Sequence, residues 1–285
     1  MNEPIAPTPP PDDEQSRLKI YFLPNLLTAG NLFCGFVALT KIVDADPFAE
    51  NYFAQIKLAL AFILLACIFD LFDGRVARMG GHESPFGREF DSLADLISFG
   101  VAPAFLVHRI VLRDVFGDEY AEIGWFIASI YLICGAFRLA RFNCLSSMNL
   151  PGAGRDFLGF PIPSAAGLVA SLTLFIIKLN EKEKGLGHWG YLLPVVLIFL
   201  SAMMVSEVKY PSFKSLGLRS STTFLKLIVA VLFVGSLLIL QEKILYYVLP
   251  IFFTGYLLYG FVRPHISRAW RHEIEEDEDD AEAGS

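Results

Sequence analysis

A chain of 285 residues that is 54% hydrophobic and only 19% charged, with a mean hydropathy of +0.50, is too apolar throughout for a soluble domain or a disordered protein. The formal net charge of -7 offers no basic footprint for nucleic acid, and much of it comes from one tail, EIEEDEDDAEAGS, at residues 273–285. These numbers point to an integral membrane protein.

In chain order, the start MNEPIAPTPPPDDEQSR is proline-rich and acidic, with no apolar core and no cleavage site, so residues 1–18 are expected to be a disordered cytoplasmic leader, not a signal peptide. Apolar runs approaching the roughly 20 residues that cross a hydrocarbon core then recur at about 21–42, 52–77, 88–108, 122–143, 160–179, 188–207, 222–240 and 244–263. The runs are near-continuous, without sustained apolar/polar alternation, which favours helices over an outer-membrane barrel. The expected fold class is therefore all-α, a polytopic transmembrane bundle of about eight spans whose transmembrane domain covers 19–267. Residues 268–285 form a solvated, disordered acidic tail.

An even number of spans puts both termini on one side of the membrane. That side receives roughly two thirds of the 23 Lys and Arg, so the termini are expected to be cytoplasmic. The four cysteines, Cys34, Cys67, Cys134 and Cys144, lack CxxC spacing and read as small packing residues.

The stretch DLFDGRVARMGGHESPFGREFDSLAD, residues 70–95, sets Asp70, Asp73, Asp91 and Asp95 at the edge of the second and third spans. At 100° per residue, Asp70, Asp73, Gly74 and Ala77 share one helical face, and the i, i+4 spacing of Asp91 and Asp95 stacks them on one face of the next helix. Pairing of the two helices through the joint MGGHESPFG would bring all four carboxylates together. An isolated ionised aspartate in a span costs about 2.5–3.5 kcal/mol on insertion scales, and four together also repel. A divalent cation removes both penalties, and carboxylate oxygens are the hard ligands that Mg2+, Mn2+ or Ca2+ prefer. Four of them suffice to hold two bridged ions, a device for gripping phosphate oxygens during in-line displacement at phosphorus. Gly74 and Ala77 on the same face leave room for a nucleotide. Simple neutralisation by Arg75, Arg78 and Arg88 is the alternative; it fits any one of these aspartates better than it fits four so spaced.

Asp70-x2-Asp73-Gly74-x2-Ala77-Arg78-x8-Gly87-x3-Asp91-x3-Asp95 resembles the complete signature of the CDP-alcohol phosphatidyltransferases, with no departure at a defined position. The resemblance implies a membrane enzyme that transfers the phosphatidyl group of a CDP-linked lipid to an alcohol and releases CMP. It implies two Mg2+ or Mn2+ ions as cofactors, with Asp70, Asp73, Asp91 and Asp95 as metal ligands and Asp95 also the catalytic general base on the acceptor hydroxyl. Gly74, Ala77 and Arg78 would line the cytidine and phosphate pocket, and Gly87 would let the next helix start close to the ligand. The family also implies a homodimer. A serine hydroxyl is a poor nucleophile near neutral pH, so a carboxylate within hydrogen-bond reach has a clear role as base.

Four further stretches, LPNLLTAGNLFCGF (23–36), FRLARFN (137–143), GFPIPSAAG (159–167) and MVSEVKYPSFK (204–214), are similar to segments of the phosphatidylserine synthase branch, the membrane-integral bacterial and archaeal type. With the signature, this resemblance covers most of residues 20–215. It implies CDP-diacylglycerol and L-serine as substrates and membrane lipids as surroundings, and the Lys and Arg asymmetry puts the aspartate stretch on the cytoplasmic side of a cell membrane.

Asn25, Thr28 and Asn31, three residues apart, lie on roughly one side of the first span and can face cytidine, Asn25 equally as a helix cap. Arg138 and Arg141, at i, i+3, can clamp a phosphate or the serine carboxylate, or can be ordinary positive-inside anchors. Pro161 and Pro163 either free carbonyls toward a cavity or simply start a helix. Lys209 and Lys214 read as solvated charge, and His82 and Glu83 as loop residues, with His82 as a metal ligand the alternative. Two competing functions remain: the same chemistry with another acceptor or donor (glycerol phosphate, inositol phosphate, choline, CDP-archaeol), or divalent-cation transport, for which intramembrane carboxylates are also a mark.

Overall fold

An apolar segment in hydrocarbon can satisfy its backbone only by internal hydrogen bonding, and helices form wherever the described residues carry such a run. The computed structural model describes residues 22–79, 84–112, 116, 120–147, 156–179, 189, 191–211 and 242–263. Five helices are long and apolar enough to cross a membrane: α1 (Phe22–Asp44), α2 (Tyr52–Met79), α3 (Pro85–Leu112), α4 (Ala121–Ser147) and α5 (Ile162–Leu179). Two further apolar helices are α6 (Leu192–Val205) and α7 (Glu242–Val262). The protein is thus a mostly helical, multi-pass membrane protein. The expected span at 222–240 and both chain ends lie outside the described residues.

One element departs from the all-α expectation. Strands β1 (Asp156–Leu158) and β2 (Lys209–Pro211) pair antiparallel, with Phe157 opposite Tyr210. Three residues are too few to show an alternating pattern, and the partners are distant in sequence, so no local signal announces the pairing.

Packing follows the small residues. α1 lies along α2 and against α3, α2 also meets α5, α4 packs on α6, and α7 on α5. At the α1–α3 contact a Cβ on Gly35 would stand 2.8 Å from Ser98 Cα, so only glycine admits this backbone approach. Ser98 then donates to the Asn31 carbonyl at 2.9 Å. Phe33, Phe36, Trp125 and Ile251 stay exposed on the outer surface, as a lipid-facing surface requires.

α3 is not a uniform α-helix. It widens into π-helical turns at Leu96–Val101, directly after Asp95, and at His108–Leu112. Pro103 has no N–H to give the Phe99 carbonyl one turn back, and the Tyr131 hydroxyl of α4 donates to that oxygen at 3.1 Å. Pro163 sits in the first turn of α5, where Ala165 N–H bonds the Pro161 carbonyl at 3.0 Å, an ordinary proline-bearing helix start.

Candidate active site

The site forms where the end of α2 meets the start of α3. Ser84 caps α3 in extended geometry (φ -128°, ψ 151°), its Oγ accepting the Gly87 N–H at 3.0 Å, with Pro85 opening the helix. A side chain at Gly87 would meet both Ser84 Oγ (3.3 Å) and Asn25 Oδ1 (3.4 Å), so the first turn of α3 is held close to the start of α1. From this start, Asp91 and Asp95 project from α3 toward Asp70 of α2. One carboxylate oxygen each from Asp70, Asp91 and Asp95 lies within 4.8 Å of the other two.

Asp73 lies beside this group and within electrostatic reach of Asp91 and Asp70. It is buried, accepts the Thr28 hydroxyl at 2.9 Å, and is bonded by the Gly74 backbone. Asp95 is buried too and accepts Asn31 Nδ2 at 3.0 Å. Thr28 and Asn31, expected to face cytidine, therefore direct their donors to the two buried carboxylates. The amide oxygen of Asn31 is fully buried with no hydrogen-bond partner among the described residues. Gly74 and Ala77 are half-buried on α2. The side chain of Arg78, like His82, Glu83 and Lys214, lies outside the described residues; Lys209 is exposed.

The two arginines of α4 divide. Arg138 is buried, within electrostatic reach of Asp95 and Asp70, and its guanidinium stands 5.7 Å from the Phe142 ring centroid. Arg141 instead donates to backbone carbonyls: Leu158 at 2.7 Å, Val205 at 3.0 Å, Ser206 at 3.1 Å and Met204 at 3.3 Å. It closes the C-terminus of α6, whose last carbonyls have no partner within the helix, and ties β1 to it. Gly159, at φ 77°, makes the turn between β1 and α5 that lets Arg141 in.

Two residues that the sequence did not assign to the site, Ser98 and Cys67, the latter read only as a packing residue, support it from below. Ser98 fixes the backbone of Asn31. Cys67, one turn before Asp70, donates its thiol to the Pro163 carbonyl at 3.6 Å and joins α2 to α5 under the carboxylates. A hydroxyl or thiol inside an apolar run is a weak signal, since most such groups bond their own helix, as Ser171, Thr173 and Ser201 do here.

The donor set is all oxygen and all anionic. Ligands of an octahedral Mg2+ stand about 3–4.2 Å apart, and one oxygen each of Asp70, Asp91 and Asp95 lies within 4.8 Å of the others, so small side-chain movements let these residues hold a hard divalent ion. Gathered carboxylates without a cation would repel one another strongly at this depth.

Comparison with known proteins agrees with this chemistry. Residues 21–205 match the profile of the family described as CDP-alcohol phosphatidyltransferase. A protein of Helicobacter pylori named CDP-diacylglycerol--serine O-phosphatidyltransferase is 35% identical over 244 residues, which cover 86% of this chain and 91% of that protein. A protein of the same name from Bacillus subtilis is 34% identical over 68% of this chain and 92% of its own length. An archaetidylserine synthase of Methanothermobacter thermautotrophicus is 32% identical over 68% of this chain and 72% of its own.

Proposed function

Because the chain belongs to the CDP-alcohol phosphatidyltransferase family, we infer that it is a CDP-diacylglycerol–serine O-phosphatidyltransferase, a membrane enzyme making phosphatidylserine and CMP from CDP-diacylglycerol and L-serine. The observation that carries the chemistry is the grouping of Asp70, Asp91 and Asp95 at the α2–α3 edge, with Asp73 beside them. Bound there, two divalent ions, Mg2+ or Mn2+, would offset the charge of the pyrophosphate and of the departing CMP.

The chain's own residues do the rest. Asp95 takes the proton of the serine hydroxyl as its oxygen attacks the phosphatidyl phosphorus. The bond from that phosphorus to the bridging pyrophosphate oxygen breaks, and CMP leaves with the electron pair. Asn31 holds Asp95 in position for the transfer and Thr28 holds Asp73. Gly74, Ala77, Arg78 and Gly87, with Asn25, line the nucleotide side. Arg138, a cation already buried beside Asp95, receives the serine carboxylate. Arg141 is assigned to holding α6 and β1 in place.

The same reading places the catalytic domain at 19–267 between a leader and an acidic tail, with eight spans once 222–240 is included. The termini and the site would be cytoplasmic in a cell membrane, and the assembly a homodimer. A transporter is less well supported: the buried hydroxyls of α5 and α6 bond their own helices and extend no polar path. The test is CMP release by purified protein from CDP-diacylglycerol with Mn2+ or Mg2+. Serine-dependent CMP is expected; CMP only with another alcohol would change the acceptor, and none with any alcohol would overturn the reading.

A further inference from the structure

Turning α3 about its own axis would swing Asp91 and Asp95 away from Asp70, so the rotation of this helix decides whether the three carboxylates meet. Without a cation their mutual repulsion works against the observed rotation. Directly past Asp95 the regular α-helical ladder gives way to a π-helical turn, so the acidic segment does not take its rotation from a uniform helix below it. Its neighbours must hold it.

Two helices do so, one on each flank of the acidic face. At about 100° per residue, Gly87 lies roughly 40° to one side of Asp91, and Ser92 and Glu89 lie roughly 100–160° to the other. On the first flank the neighbour is α1: Gly87 faces Asn25, and Asn31 Nδ2 donates to Asp95 at 3.0 Å. On the second flank the neighbour is α4, and the contact is Asn143. Its Nδ2 donates to Ser92 Oγ at 3.0 Å and to Glu89 Oε2 at 3.4 Å, so one amide spans a turn of α3. Its Oδ1 stands 3.3 Å from the same Ser92 hydroxyl, whose other acceptor is the Arg88 carbonyl at 3.1 Å. Among the described residues, the hydrogen bonds of Asn143 go to Ser92 and Glu89 and to none of the four aspartates.

A primary amide suits this place, because it offers two donors and an acceptor without adding charge beside carboxylates that already repel. We propose that Asn143 is a positioning residue: through Ser92 it fixes the rotation of α3 that presents Asp91 and Asp95 to a divalent cation. The C-terminal end of α4 thereby belongs to the cation site although it supplies no ligand. Groups that orient metal ligands from behind commonly set the affinity of the site. The inference rests on the reading of these carboxylates as a metal site.

Electron paramagnetic resonance of free Mn2+, titrated with the purified full-length protein, reads the affinity without any turnover. Asn143→Leu keeps the approximate volume and removes the amide, and Ser92→Ala removes only the hydroxyl. Each should weaken Mn2+ binding about tenfold, the lower end of the loss when a group orienting metal ligands is removed. The double variant should bind no more weakly than Asn143→Leu alone, because both changes remove one contact. Serine-dependent CMP release by either variant should fall at limiting Mn2+ and return close to the parent rate at saturating Mn2+, when the ion itself draws the carboxylates together. Unchanged Mn2+ affinity in Asn143→Leu, a loss that Ser92→Ala does not share, or additive losses in the double variant would overturn the proposal. So would a raised KM for serine with Mn2+ binding unaltered, which would make Asn143 a contact of the acceptor. If Asn143→Leu does not fold, Ser92→Ala decides by the same affinity measurement. A parent protein that binds no Mn2+ refutes the metal reading itself and this proposal with it, whereas parent binding kept intact in the variants refutes the proposal alone.

Discussion

The α2–α3 edge and the junction of α4, α6 and β1 both place charge at helix ends, and they use it in opposite ways. At the first, three carboxylates gather within 4.8 Å and a fourth lies beside them, with the short neutral donors Thr28 and Asn31 orienting two of the four. At the second, one guanidinium meets four carbonyl oxygens and its hydrogen bonding is taken up by the fold. Charge whose hydrogen bonding the fold takes up stabilises it, whereas four carboxylates gathered with one buried arginine in reach keep a net negative charge that a cation would offset. The contrast predicts that substitutions at the first place remove activity and spare folding, and that substitutions at the second do the reverse.

The largest effect should come from Asp95→Asn, which keeps the shape and removes the base. Turnover should fall by about 10²–10⁴ while the protein remains folded by thermal unfolding in detergent. Near-normal turnover would take Asp95 out of the base role. Next is Arg141→Ala, which strips hydrogen bonds from a charged donor, worth about 1.5–3 kcal/mol for the first of them. The thermal midpoint should drop clearly, with kcat of the surviving folded protein close to the parent value. A stable Arg141→Ala protein with lost turnover would erase the contrast.

Asn31→Ala sharpens it, because Asn31 touches a site carboxylate but belongs to the packed α1–α3 contact. A fall in kcat of about tenfold is expected with a smaller loss of stability, read from the two measurements side by side. The smallest effect expected is from Thr28→Val, which removes one hydroxyl from Asp73, should lower kcat by several-fold, and should leave KM for serine unchanged.

Much of this was legible in the sequence. The i, i+3 and i, i+4 spacings on two successive apolar runs were enough to expect each pair of aspartates on one face of its helix, since helical periodicity sets them there; that the two faces meet depended on the helices pairing through the short joint. The partners of polar residues inside spans were less so. Asn31 and Thr28 could be placed on the inner side of α1, but only the Gly35–Ser98 approach brings α1 near enough to α3 for Asn31 to reach Asp95. Arg138 and Arg141 share a helix face and differ only in what lies opposite. The C-terminus of α6 and the β1 turn, both remote in sequence, reach one and not the other. The three-residue strands carried no pattern at all, and the π-helical turn after Asp95 contains a carbonyl, that of Phe99, whose hydroxyl donor comes from α4.

Mn2+ binding bears most directly on the gathered carboxylates. Electron paramagnetic resonance of free Mn2+, titrated with the purified protein and with Asp91→Asn, separates a built cation site from a solvated acidic edge. Saturable binding by the parent protein, lost in Asp91→Asn together with serine-dependent CMP release, is the predicted result. Equal Mn2+ binding by both proteins, or CMP release that persists in excess chelator, would contradict it.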